Sequence, residues 1–161
     1  MLIAPEDGET FMENARIKAL ALRPDSGFRV IGDDSGLEVD ALGGRPGVHS
    51  NRFGSKPTDA ARTDYLLRLM SESPGSSRTA RFRCAMTVAY QGEITFETER
   101  ACEGTIAAAP RGSHGFGYDP VFVPEGHSQT FGELGDEIKN KISHRALASA
   151  DLLEYLRALI R

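Results

Sequence analysis

The chain reads as an α/β protein whose central mixed β-sheet is flanked by helices, and three features predict this. They are a capped helix opening at Thr10, a long alternating strand with a hairpin partner across Gln91-Gly92, and an apolar helical stripe near the C-terminus. Helices and strands interleave, which calls for a sheet covered on both faces, and the hairpin brings antiparallel pairing into it. The length of 161 residues, 40% of them hydrophobic, suits a single domain over 1–161. At this size roughly 68–70% of the unfolded surface can leave water, so a core forms without disulfides or a structural metal.

Each element follows from a local signal. Thr10-x-x-Glu13 is a capping box, and Phe11, Ala15, Ala19 and Leu22 recur at helical spacing until Arg23-Pro24 stops the helix. Phe28 to Ile31 reads as a short strand that delivers Asp33-Asp34-Ser35-Gly36 at its end, with Leu37 to Leu42 continuing extended. Gly43-Gly44-Arg45-Pro46-Gly47 is a loop, and a second helix runs from near Thr58 to Met70. After the serine-rich loop Ser71–Ser77, Ala80, Phe82, Cys84, Met86, Val88 and Tyr90 share one face of a strand, with Arg81 and Arg83 on the other. Its partner runs from Glu93 to about Cys102, followed by a short Gly104-Thr105-Ile106 segment. Val121-Phe122-Val123 forms a further strand. The final helix opens at Ser143 and aligns Ala148, Leu152, Tyr155 and Leu159.

The hairpin turn pairs Tyr90 with Glu93, which sets Cys84 opposite Glu99 and Cys102 opposite Arg81. Two reduced, buried thiols are therefore expected. With 19 Lys+Arg against 23 Asp+Glu and a net charge of −4, no field favours a nucleic-acid polymer. No apolar run approaches the roughly 18 residues of a membrane span, and the N-terminus has no basic-then-apolar pattern. A soluble, cytoplasmic protein is expected.

Four constellations could carry chemistry. Asp33-Asp34, adjacent carboxylates on a sheet rim, call for a cation between them, and oxygen ligands of this kind suit Mg²⁺; a solvated Asx turn is the plainer alternative. Lys18 lies at the edge of an apolar stripe, where it either snorkels to water or points with Asn14 into an anion-binding cleft. Ser143-His144-Arg145, with Lys139 and Lys141 upstream, places cationic groups in the first turn of a helix, against its dipole unless an electron-rich ligand gathers them. Gly112 to Pro120 is a glycine-rich loop presenting Phe116, Tyr118 and Asp119. The dinucleotide fingerprint, the phosphate-binding loop with Gly-Lys-Ser/Thr, Gly-x-Ser-x-Gly, His-Glu-x-x-His and Cys-x-x-Cys are all missing from the sequence.

Together these segments resemble the inosine triphosphate pyrophosphatase family. The matching pieces are Thr10-Phe11-x-Glu13-Asn14-Ala15-x-x-Lys18-Ala19, Asp33 to Val48, Gly115-Phe116-Gly117-Tyr118-Asp119-Pro120 and Lys139-x-x-Ile142-Ser143-His144-Arg145, in the family's order. The resemblance implies an elongated two-lobed fold, a homodimer, and Mg²⁺-dependent hydrolysis of ITP, dITP and XTP to monophosphate and pyrophosphate. It assigns Asp34 as the catalytic carboxylate, Glu6 as its Mg²⁺ partner, Lys18 as the lysine on the triphosphate side and Phe116 as a platform for the base. Ser35, Gly117, Tyr118, Asp119, Lys139, Ser143, His144 and Arg145 correspond to residues that bind the nucleotide.

The family pattern starts with a strand, a Thr-Gly-Asn-x-x-Lys phosphate loop and a helix, and this sequence begins after them, so it reads as N-terminally truncated. His114 stands where the family carries glycine. Two other readings stay open at this level: a catalytically impaired purine-nucleotide-binding remnant, and a metal-dependent phosphatase of another phosphorylated metabolite.

Overall fold

A computed structural model describes residues 5–22, 27–72 and 76–160. The expected helix stop at Arg23-Pro24, and residues 73–75 of the serine-rich loop, lie outside them. Helix α1, Phe11–Ala21, starts at the Thr10 cap as the capping box requires: the Thr10 hydroxyl accepts from Glu13 N, and the Glu13 carboxylate accepts from Thr10 N. Its buried residues are Phe11, Asn14, Ala15 and Ala19. Leu22 is 55% exposed, because the chain has already turned extended at that C-cap position.

Strand β1 spans Arg29–Val39 without a break. Asp33-Asp34 are therefore mid-strand, not at a strand end, and Phe28 lies outside the strand and exposed. Two glycines explain the continuity. A Cβ on Gly32 would stand 2.1 Å from Ala15 O, and one on Gly36 would stand 2.4 Å from the Ser50 hydroxyl. Glycine thus lets α1 and the following turns press directly on the strand.

Strands β2, Thr79–Tyr90, and β3, Glu93–Ile106, form the expected hairpin; β4 is Phe122–Pro124. Among the described residues the sheet order is β1-β2-β3-β4 and every pair is antiparallel, where the sequence predicts a mixed sheet. The turn opposes Tyr90 to Glu93 as expected, but a bulge between Val88 and Ala89 shifts the register by one residue. Cys84 consequently faces Arg100, and Cys102 faces Phe82. Both thiols are buried and unbridged.

Helix α2, Asp59–Ser71, has Thr58 as its cap. Helix α3, Phe131–Ile142, and helix α4, His144–Ala158, meet at Ser143, which ends one and caps the other. The sheet is a middle layer: α1 covers the face carrying Asp34 and Ala85, and α4 covers the face carrying Cys84 and Met86. The main core lies on the α4 side. It joins Leu37 and Val39 of β1, Leu66 of α2, Phe82 of β2, Phe122 of β4 and Phe131 of α3. Each fully buried side chain of this size contributes about 1.5–3 kcal/mol. Along α4 only the first part of the expected stripe is deep: Ala148 is buried, Leu152 and Tyr155 are half-buried, and Leu159 is 45% exposed.

Candidate active site

Strand alternation decides what the two adjacent aspartates can do. Successive side chains of β1 point to opposite faces, so the Asp33 and Asp34 carboxylates do not share a cation. Each meets its own. Asp34, buried, accepts from Asn14 Nδ2 at 3.0 Å and from Lys18 Nζ at 3.0 Å, both on α1. Asp33 accepts from Arg145 Nη2 at 3.0 Å on the α4 side, where the same guanidinium donates to Ser35 Oγ at 3.1 Å. The solvated-turn alternative for Asp34 fails on this burial.

Lys18 turns inward rather than snorkelling. Its ammonium donates to Asp33 O at 2.8 Å and lies 2.8 Å from Glu6 Oε1 as well as bonding Asp34. Burial pulls the Lys18 pKa down, but the hydrogen bonds and charges of Glu6 and Asp34 outweigh it and the net direction is up. Glu6, which sequence alone could not place, is thus brought to Asp34 through one cation. Asn14 is fully buried, and its Oδ1 accepts from Gly8 N at 2.8 Å. That bond ties the segment carrying Glu6 to α1.

These contacts also test whether the site suits Mg²⁺. Glu6 and Asp34 present hard carboxylate oxygens that already converge on a positive charge. Among the described residues no three His, Cys, Asp or Glu side chains gather. Two carboxylates, with water and phosphate oxygens completing the shell, is how Mg²⁺ is commonly held, so the residues present fit that ion.

On the α4 side of β1 lies a cavity of about 530 Å³. Ser35, Phe116, Gly117, Tyr118, Asp119, Lys139, Ser143, His144 and Arg145 all line it, so the fold gathers every expected base-side residue around one space. Phe116 is 65% exposed. Its loop can turn so tightly because Gly115 takes φ +75, where a Cβ would strike the Asp119 carboxylate. Buried Asp119 accepts from Phe116 N at 2.9 Å and pairs with Lys139. Burial pushes the Asp119 carboxyl up against the opposing pull of Lys139 and of the Phe116 N–H. The Lys139 ammonium also lies 4.3 Å from the centre of the Phe116 ring. Tyr118 is held inward by donating to Ser50 O at 2.8 Å.

His144 stacks on Phe82, with ring centroids 4.9 Å apart and planes 12° from parallel. Burial, then the charges of Arg145 and Lys139, drive its pKa down to about 3, so the ring is neutral at pH 7. Its Nδ1 has no hydrogen-bond partner among the described residues. Ser143 serves the backbone, accepting from Ala146 N at 3.1 Å.

Sequence reasoning missed helix α3, which carries Lys139. Its signal was Thr130-x-x-Glu133, a capping box with both reciprocal bonds made. It also missed Asp59 and Arg62 of α2, which line the same cavity. Among the described residues no helix is long and apolar enough to cross a membrane.

Comparison with known proteins identifies the family. The family model described as the Ham1 family matches residues 1–155. The dITP/XTP pyrophosphatase of Geobacillus kaustophilus is 51% identical over 156 residues, covering 96% of this chain and 76% of the relative. That of Bacillus subtilis is 47% identical over 154 residues, covering 95% and 78%. Among solved structures, a HAM1 protein from Coxiella burnetii superposes with a TM-score of 0.89 at 39% identity, covering 96% of this chain and 80% of that one. The Staphylococcus aureus Ham1 protein superposes at 0.90 with 35% identity, covering 98% and 81%. With the family model spanning nearly the whole sequence and relatives near half identical, the chain belongs to the Ham1 family.

Proposed function

We propose that this chain hydrolyses the non-standard purine nucleoside triphosphates ITP, dITP and XTP to the monophosphate and pyrophosphate, removing them from the nucleotide pool. The relatives named dITP/XTP pyrophosphatase support the reaction class. The observation that carries the reading is the cavity in which an exposed Phe116 ring, Lys139 and Arg145 meet, beside a strand whose other face holds Asp34 and Lys18.

In this reading the purine stacks on Phe116. Lys139 and Arg145 have only donors to offer, which suits a 6-oxo acceptor and leaves adenine's 6-amino group facing donors. A buried donor left unpaired costs about 1–3 kcal/mol, so ATP is disfavoured. Neutral His144 supplies an acceptor or donor nitrogen without adding charge.

On the α1 side, Asp34 orients a water and takes its proton, while Lys18 stabilises negative charge developing at the attacked α-phosphorus. Asn14 holds Asp34 in place by its amide. Glu6 and Asp34 would hold Mg²⁺, which when bound neutralises phosphate charge. A homodimer and a cytoplasmic location belong to the same reading.

The test is turnover of ITP, XTP and ATP by the purified chain, with Mg²⁺ and after chelation. Preference for ITP and XTP, lost on chelation, supports the proposal. Equal turnover of ATP, or turnover that survives chelation, counts against it.

A further inference from the structure

The Phe116 platform stands on an exposed loop, and a ring so exposed needs something to fix its angle if it is to stack on a base. Two carboxylates do this by gripping consecutive backbone amides. Asp119 accepts from Phe116 N at 2.9 Å, and Asp59 Oδ2, from α2 on another wall of the cavity, accepts from Gly117 N at 2.7 Å. Asp59 is well prepared for this. It occupies the first turn of α2, where the helix dipole favours an anion. Its other oxygen pairs with Arg62, and Arg62 is itself anchored by donating to Lys56 O at 2.9 Å. The hydrogen bond from Gly117 is the largest influence holding the Asp59 carboxyl below its ordinary range, so it is an anionic acceptor at neutral pH.

We infer that Asp59 is a positioning residue for base recognition: it fixes the Phe116–Gly117 amide, and through it the stacking ring, while touching no reacting atom. This rests on the reading of Phe116 as the base platform. The grip is long-range, since 58 residues separate donor and acceptor. It couples α2 to the site through one hydrogen bond. Gly117, at φ +60, takes up that conformation with little penalty and would lose it as readily once released.

The experiment is a double-mutant cycle on the full chain with ITP and XTP, using Asp59→Ala, Asp59→Asn, Phe116→Ala and the Asp59→Ala/Phe116→Ala pair. Asp59→Ala should raise KM for both nucleotides by roughly fivefold to tenfold, more than it lowers kcat, the mark of lost binding. Asp59→Asn keeps an acceptor oxygen for Gly117 N and should fall between wild type and Asp59→Ala. With the ring already gone, the second substitution should add less than twofold, because its effect passes through Phe116. Effects that multiply in the pair, or an Asp59→Ala loss confined to kcat, would overturn the assignment in favour of a general role in stability. Wild-type turnover runs alongside: if the unmodified chain does not hydrolyse ITP, the functional reading fails and this assignment with it. If it does while Asp59→Ala matches wild type, the assignment alone fails.

Discussion

Replacing His144 with Phe should make the protein markedly less sensitive to acid. In the native state the imidazole is stacked on Phe82, 8% exposed, next to Arg145 and near Lys139, and its pKa is pushed down to about 3. In the unfolded chain the ring titrates near its ordinary 6.5. Between those values the unfolded state binds a proton that the native state does not. The stability contributed by the neutral ring is therefore present above about pH 6.5 and is lost as pH falls towards 3. Taken from pH 7 to pH 4, that linkage amounts to about 3 kcal/mol, a large share of a typical domain's stability. Phe keeps a flat ring against Phe82, removes a buried nitrogen that has no partner among the described residues, and cannot titrate. Urea unfolding followed by circular dichroism at pH 7 and pH 4, at fixed ionic strength, measures the loss in each protein. Carboxylates titrate in both, so the difference isolates His144. If wild type and His144→Phe lose the same stability over this interval, the ring is not held neutral and the account of its burial is wrong.

Three further outcomes follow from the separation of the two faces of β1. Asp34→Asn should remove most turnover while leaving the thermal midpoint within a few degrees, since Asn still offers one oxygen to Asn14 or Lys18; near-normal kcat would detach Asp34 from the chemistry. Phe116→Ala should weaken ITP and XTP binding alike by about 1–3 kcal/mol, as expected for a lost stacking surface. Arg145→Ala should instead change which purine is accepted, because it removes a directional donor. Nucleotide-titration calorimetry across ITP, XTP and GTP distinguishes them, and parallel losses in both variants would contradict the division of roles.

What could be read in the sequence was local. Thr10-x-x-Glu13, Thr58 and Ser143 all cap helices because a short oxygen-bearing side chain before a helical stripe satisfies orphan amides within three residues. The same code at Thr130-x-x-Glu133 is masked in the sequence because Gly132 and Gly135 dilute the helical pattern, and Gly135 breaks the helix with φ +74. The sequence reads as a shorter strand before Asp33-Asp34 because Gly and Asp are poor strand formers in isolation; the close approach of α1 to Gly32 is a tertiary reason no local pattern contains. The bulge after Val88 likewise has no signature in the alternation, yet it moved both cysteines by one register position.

The same division holds for the site. Residue types and order pointed to Phe116, Lys139, His144 and Arg145 before any geometry, and the fold places all four on one cavity. The opposite orientation of Asp33 and Asp34 follows from strand period alone once the strand is known to be continuous. Asp59 was beyond reach, since its role depends on a bond to a backbone amide, and backbone amides leave no trace in residue identity.

The central claim is that the α-phosphorus is attacked beside Asp34 and Lys18 with the base held across β1 by Phe116 and Arg145. Product identity tests it most directly: ITP incubated with the chain and Mg²⁺, with no inorganic pyrophosphatase present, and the products resolved by ³¹P NMR. The account predicts IMP and pyrophosphate in equal amounts from the earliest time points. IDP with inorganic phosphate as the first products would contradict it.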